Sequence, residues 1–114
     1  MKRGTIVLTK FPFTDLQSFK RRPAIVVSSE QNKNSDYIVA FITSVIPAKL
    51  ADTDLLFDNT NPDFKKSGLI KPSLIKADKL ATLNKNIFTG ELGSVSSATM
   101  KELDKCLKNA LALK

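Results

Sequence analysis

Three short polar groups stand at the ends of apolar runs in this sequence, and most of its potential for chemistry lies in them. Arg22 precedes Pro23 at the head of "AIVVSS", Thr43 and Ser44 close "YIVAFI", and Lys71 and Ser73 flank Pro72 in "GLIKPS". Proline fixes its own φ and restricts the residue before it, so Arg22 is held in a preset backbone conformation. A guanidinium presented in that way can grip a phosphate through two hydrogen bonds. Each group also has a structural reading: a solvated charge guarding an aggregation-prone strand for Arg22, β-propensity and turn chemistry for Thr43 and Ser44, and a strand-edge kink for Lys71 and Ser73.

What is missing narrows the chemistry further. The 114 residues include no histidine, which excludes Ser-His-Asp and Cys-His hydrolysis, histidine-based RNA cleavage and His-ligated metal sites in their common forms. The single cysteine, Cys106, has no partner for an internal disulfide, and the four glycines, at 4, 68, 90 and 93, are too scattered for a phosphate-binding loop. The carboxylate pairs Asp52 with Asp54 and Asp58 with Asp63 fall in loop-like sequence, where solvation explains them better than magnesium binding. No metal or cofactor is expected. Eighteen Lys and Arg against eleven Asp and Glu leave a net charge of +7, which favours a polyanionic partner and equally describes a lysine-rich solvated surface.

Elements that would position these groups can be read from the apolar patterning. The length suits one domain over residues 1–114, with enough buried surface to do without disulfides or structural metal. "TIVLT" (5–9), "AIVVSS" (24–29) and "YIVAFITS" (37–44) are β-branched and aromatic, and "EQNKNSD" between the last two has the composition of a hairpin connection. Beyond them come a short apolar piece "DLLF", a loop "DNTNPDFKKS", one or two strands in "GLIKPSLIKADKL", and "NIFTGEL". Met100, Leu103, Leu107, Ala110 and Leu111 recur at helical spacing, predicting a C-terminal helix that starts at Ser96 or Ser97 or at a Thr99–Glu102 capping box. Lys101, Lys105 and Lys108 lie off its apolar stripe, and Cys106 borders the stripe as a packing residue. Lys10 cuts the first apolar run too short for a signal peptide, and no apolar stretch approaches the ~20 residues of a membrane span, so a cytoplasmic location is expected.

The succession "GTIVLTKFPFTDL", "KRRPAIVVSS", "YIVAFITS" and "GLIKPSLIKADKLATL", together with a terminal helix, resembles the MazF/PemK family of toxin ribonucleases from bacterial toxin-antitoxin systems. The resemblance covers essentially the whole chain, and "FPFTD", "RRPAIVVS" and "ITS" are its most specific parts. It implies a mainly β fold, an SH3-like small barrel of antiparallel strands with a C-terminal helix. It further implies a homodimer that cuts single-stranded RNA without metal and is silenced by a cognate acidic antitoxin. Family function maps onto Arg22 and Thr43, with Ser44 beside it. Some relatives carry an arginine and an aspartate where this chain has Lys71 and Ser73, and a serine cannot act as a carboxylate base.

The chemistry of that activity agrees with the residues present. Cleavage from within the RNA requires the 2′-hydroxyl to lose a proton, the phosphorane to be stabilised and the leaving 5′-oxygen to gain a proton. Arg22, a permanent cation, meets the second need, and Thr43 or Ser44 can hold the attacking hydroxyl or a nonbridging oxygen in line. Phe13 and Phe19 are candidate stacking or shielding residues beside Lys20 and Arg21, with Lys71 and Ser73 as further RNA contacts. For each phenylalanine alone, core packing is an equal reading. Two alternatives belong to other classes: a CcdB-like toxin that binds gyrase without nuclease activity, and a non-catalytic nucleic-acid-binding barrel.

Overall fold

The computed structural model of the chain describes residues 1–10, 21–29 and 35–114. Among them, β1 (Thr5–Lys10), β2 (Arg21–Val26), β3 (Asp36–Thr43), β4 (Asp54–Phe57), β5 (Ser73–Asn84) and β6 (Phe88–Ser94) join in one sheet. A short helix, α1 (Phe64–Ser67), precedes β5, and a long helix, α2 (Ser97–Leu111), comes after β6. The strand order is β4-β5-β3-β2-β1-β6, and each neighbouring pair is antiparallel. The expected pairing of the second and third strands is present. The second strand starts earlier than the apolar run suggests, because Lys10 and Thr9 of β1 supply partners to Arg21 and Arg22. Pro23 offers the ladder no N–H, and it lies just outside the β2–β3 pairing, which stops at Ala24.

Both faces of the sheet are apolar, which explains strands that read as near-continuous hydrophobic runs. On one face Ile6, Ile25, Ala40, Ile42, Phe57 and Ile75 pack with Met100, Leu103 and Cys106 of α2. On the other, Val7, Ala24, Val26, Val39, Phe41 and Leu83 form a second cluster. The helical stripe read from the sequence faces the first cluster except at its end, where Leu111 is exposed. Burial pushes the Cys106 thiol above its ordinary pKa, helped by the nearby carboxylates of Asp54, Asp52 and Glu102, so it behaves as a packing residue.

The segment expected to be a loop between "DLLF" and "GLIKPS" contains α1, and this helix bridges the two edges of the sheet. Its C-cap, Gly68, has φ 79°, and a Cβ there would lie 2.7 Å from the Leu92 carbonyl carbon of β6. A Cβ on Gly93 would in turn lie 2.6 Å from the Ser67 carbonyl carbon. Two backbones therefore touch where no side chain fits, and α1, whose Phe64 ring also meets Phe57 of β4, links β6 to the opposite edge of the sheet.

Two carboxylates expected to be solvated are buried instead. Asp63 accepts hydrogen bonds at Oδ2 from the Ser96 amide (2.7 Å), the Ser96 hydroxyl (2.6 Å) and the Thr99 hydroxyl (2.6 Å). Ser96 occupies the N-cap position of α2 but makes no cap bond with its own side chain, and Asp63 satisfies the helix start from across the fold. Burial raises the Asp63 pKa, but the Ser96 and Thr99 hydroxyls, the Ser96 amide and the Lys66 charge outweigh it and bring it to about 2. Asp54, in β4, has a side chain only 3% exposed and is paired with Lys76 at 2.9 Å. Among the described residues no helix is long and apolar enough to cross a membrane.

Candidate active site

Alternation along the strands sorts the candidate residues onto two sides of the sheet. Arg22 shares the parity of Ala24 and Val26, and Thr43 that of Val39 and Phe41, so both belong to the side of the second apolar cluster. The β2–β3 ladder pairs Ala24 with Phe41, and the same register carried two residues further sets Arg22 against Thr43. Beyond the last pair lies a groove of about 480 Å³ lined by Arg22, Phe41, Thr43, Val45, Pro47, Lys76 and Lys79. The Thr43 hydroxyl accepts a hydrogen bond from the Val45 amide (3.1 Å), which orients the oxygen and leaves its proton to be donated.

The remaining described candidates face a different groove. Arg21, Ser44, Lys71 and Ser73 line a space of about 370 Å³ together with Arg22, and its other walls are apolar: Leu8, Pro23, Ile42, Leu69, Ile70 and Leu92 among them. Thr43 and Ser44, adjacent in the chain, are thus separated by the sheet. Ser73 is buried and donates its hydroxyl to the Lys71 carbonyl (2.8 Å), which fixes the kink at Pro72. Lys71 and Arg21 are exposed at the rim. Arg22 lines both grooves and is the one residue common to them among those described. Phe13, Phe19 and Lys20 lie outside the described residues.

Two cations of the Arg22–Thr43 groove were not anticipated. In "LIKADK" a regular strand would send Lys76 and Lys79 to opposite faces, since they are three residues apart. The β3–β5 ladder, however, jumps from Phe41↔Lys76 to Ala40↔Leu80, leaving Ala77, Asp78 and Lys79 of β5 unmatched. An odd insertion reverses the parity of the residues beyond it, so both lysines reach the same groove. The adjacent charges Asp78 and Lys79 in the middle of the strand mark the place of this break in the sequence.

A guanidinium beside an oriented hydroxyl, in a groove carrying two more cations, is suited to a phosphodiester: Arg22 to offset charge developing on phosphorus-bound oxygens, Thr43 to donate to or align an oxygen of the substrate. Comparison with known proteins bears on the chain as a whole. Residues 2–111 match the model of a family described as PemK-like, MazF-like toxin of type II toxin-antitoxin system. The chain is similar to Endoribonuclease MazF2 of Mycobacterium bovis and Endoribonuclease MazF6 of Mycobacterium tuberculosis. It is 28% identical to each over 102 residues, spanning 90% of this chain and 88% of each relative. Its fold is similar to that of an endoribonuclease in complex with its cognate antitoxin from a mycobacterial species, with a TM-score of 0.75 at 22% identity over 100% of this chain and 97% of that one. It is similar also to MazF from Deinococcus radiodurans, with a TM-score of 0.73 at 19% identity over 99% of this chain and 97% of that one. With the family model spanning nearly the whole chain, this protein belongs to the PemK-like, MazF-like toxins of type II toxin-antitoxin systems.

Proposed function

We propose that the protein is the endoribonuclease toxin of its toxin-antitoxin pair, cutting single-stranded RNA by attack of the 2′-hydroxyl on the adjacent phosphorus. The observation that carries this reading is the convergence of Arg22 and Thr43 on one groove from neighbouring strands. Arg22 stabilises the phosphorane, and Thr43 holds the attacking hydroxyl or a nonbridging oxygen in line. Ser44 lines the other groove, and its part is confined to substrate contacts there. Arg21 and Lys71 at that rim, with Phe13, Phe19 and Lys20 of the preceding segment, extend the RNA-binding surface. The active species is a homodimer in the cytoplasm, and a cognate antitoxin with a flexible acidic segment silences it by occupying the cationic grooves.

The family to which the chain belongs and the names of its relatives favour this reading over gyrase binding of the CcdB kind and over a barrel that only binds nucleic acid. The test is to incubate the purified protein with a long single-stranded RNA in EDTA. Discrete fragments ending in 2′,3′-cyclic phosphate are expected, and their loss on Arg22→Ala. Intact RNA from the wild-type protein, or cleavage that appears only when magnesium is restored, refutes the mechanism.

A further inference from the structure

Arg22 and Thr43 account for one phosphate, yet their groove of about 480 Å³ carries two more cations. Thr43 is paired with Leu74 and Phe41 with Lys76 in the β3–β5 ladder, so Lys76 is the diagonal neighbour of Thr43 on the same face. Such neighbours stand about 7–8 Å apart, within reach of a lysine side chain. Lys76 does not wave in solvent. Its ammonium lies 2.9 Å from Asp54 Oδ1 and 3.9 Å from Asp78 Oδ1, and its side chain is 22% exposed. Asp54 is itself held by the Ala51 amide at 2.9 Å. Lys79 is exposed and enters the same groove by way of the register break in β5.

We infer that Lys76 and Lys79 form a second phosphate subsite, which takes an RNA phosphodiester flanking the scissile one, with Asp54 positioning Lys76 for it. The inference rests on the endoribonuclease reading. An ordered ammonium with one flank on a carboxylate retains donors for an incoming phosphate oxygen and loses little side-chain freedom on binding. The hydrogen bond and charge of Asp54 also hold the Lys76 pKa above its ordinary value, so the group acts as a fixed cation and not as a base. The register break explains why the two lysines occur on this face: a ladder without it would leave Lys79 on the opposite side of the sheet from Arg22.

The test compares Lys76→Gln, Lys79→Gln and Lys76→Arg in the full chain, using a single-stranded RNA oligonucleotide that the wild type cuts. Affinity is measured over a range of salt in an Arg22→Ala background, so that the RNA survives. Each Gln variant is expected to weaken binding about tenfold at low salt and to flatten log Kd against log salt by about 0.7, the share of one neutralised phosphate on a single strand. In the cleaving protein the same changes should raise KM more than they lower kcat, and Lys76→Arg should restore most of the affinity. Should Lys76→Gln fail to fold because Asp54 loses its partner, Lys79→Gln decides alone. Unchanged affinity and salt slope in a folded Gln variant of a protein that still cuts RNA overturn the subsite and leave the function standing. A wild-type protein that neither binds nor cuts RNA overturns both.

Discussion

Asp63→Asn isolates the interaction that anchors the start of α2. Three donors converge on one carboxylate oxygen of Asp63 at 2.6–2.7 Å, two from Ser96 and one from Thr99. The carboxyl titrates at about 2 in place of 3.8. At about 1.4 kcal/mol per unit, the ionised form contributes roughly 2.5 kcal/mol at neutral pH. Because the folded value lies below the unfolded one, that contribution is complete above about pH 4 and is lost as pH falls through about 2. For a chain of this size each kcal/mol is worth roughly 4 °C of melting temperature, so Asp63→Asn should melt about 10 °C below wild type at pH 7. The gap should close towards pH 2, because the amide has no proton to take up. Thermal unfolding monitored by circular dichroism at pH 7, 4, 3 and 2 reads both quantities. A gap under 2 °C at pH 7, or one that stays constant down to pH 2, refutes the reasoning.

Arg22→Ala should lower kcat by about 10²–10³-fold, the usual effect of removing one donor to a developing oxyanion, with the melting temperature within a few degrees of wild type. Thr43→Ala should cost about tenfold or more in kcat, and wild-type rates in both variants would show the catalysis to be elsewhere. Gly93→Ala places a methyl group 2.6 Å from the Ser67 carbonyl carbon, and it should destabilise the fold by about 1–3 kcal/mol, read as a lower midpoint in urea. Sedimentation at micromolar concentration should give about twice the 12.5 kDa chain mass, and a fully active monomer would refute the homodimer as the active species.

How far the sequence discloses this fold depends on whether the cause is local. β1, β2 and β3 arise from β-branched runs, and α2 from apolar spacing, because those signals are carried by the residues that form the element. Helix α1 is four residues long, in "FKKS", and its reason for being there is a partner far along the chain, the backbone of Leu92 and Gly93. The burial of Asp63 is equally nonlocal, since its donors are Ser96 and Thr99. At the candidate site, Arg22-Pro23 and Thr43 could be picked out by residue type at strand ends. That Thr43 and Ser44 part company across the sheet is implicit in strand alternation once the strand is known. Lys76 and Lys79 stayed hidden because a register break, which depends on both β3 and β5, decides where they point.

The pairing of β1 with β6 has a bearing on how the protein comes into being. Thr5 is matched to Ser94 and Thr9 to Phe88, so β1 leaves the ribosome about 80 residues ahead of the strand that covers its outer edge. Contacts of such sequence separation form late, after the entropy of closing a long loop has been met. The hairpin of β2 and β3, which carries Arg22 and Thr43, involves only nearby residues and can form early. The groove lined by Ser44 and Ser73 cannot, since it needs Leu69 and Leu92 as well as Pro23 and Ile42. A nascent or truncated chain ending before β6 would therefore present an uncovered strand edge and an unclosed core, the features of an aggregating fragment and not of a partly active toxin.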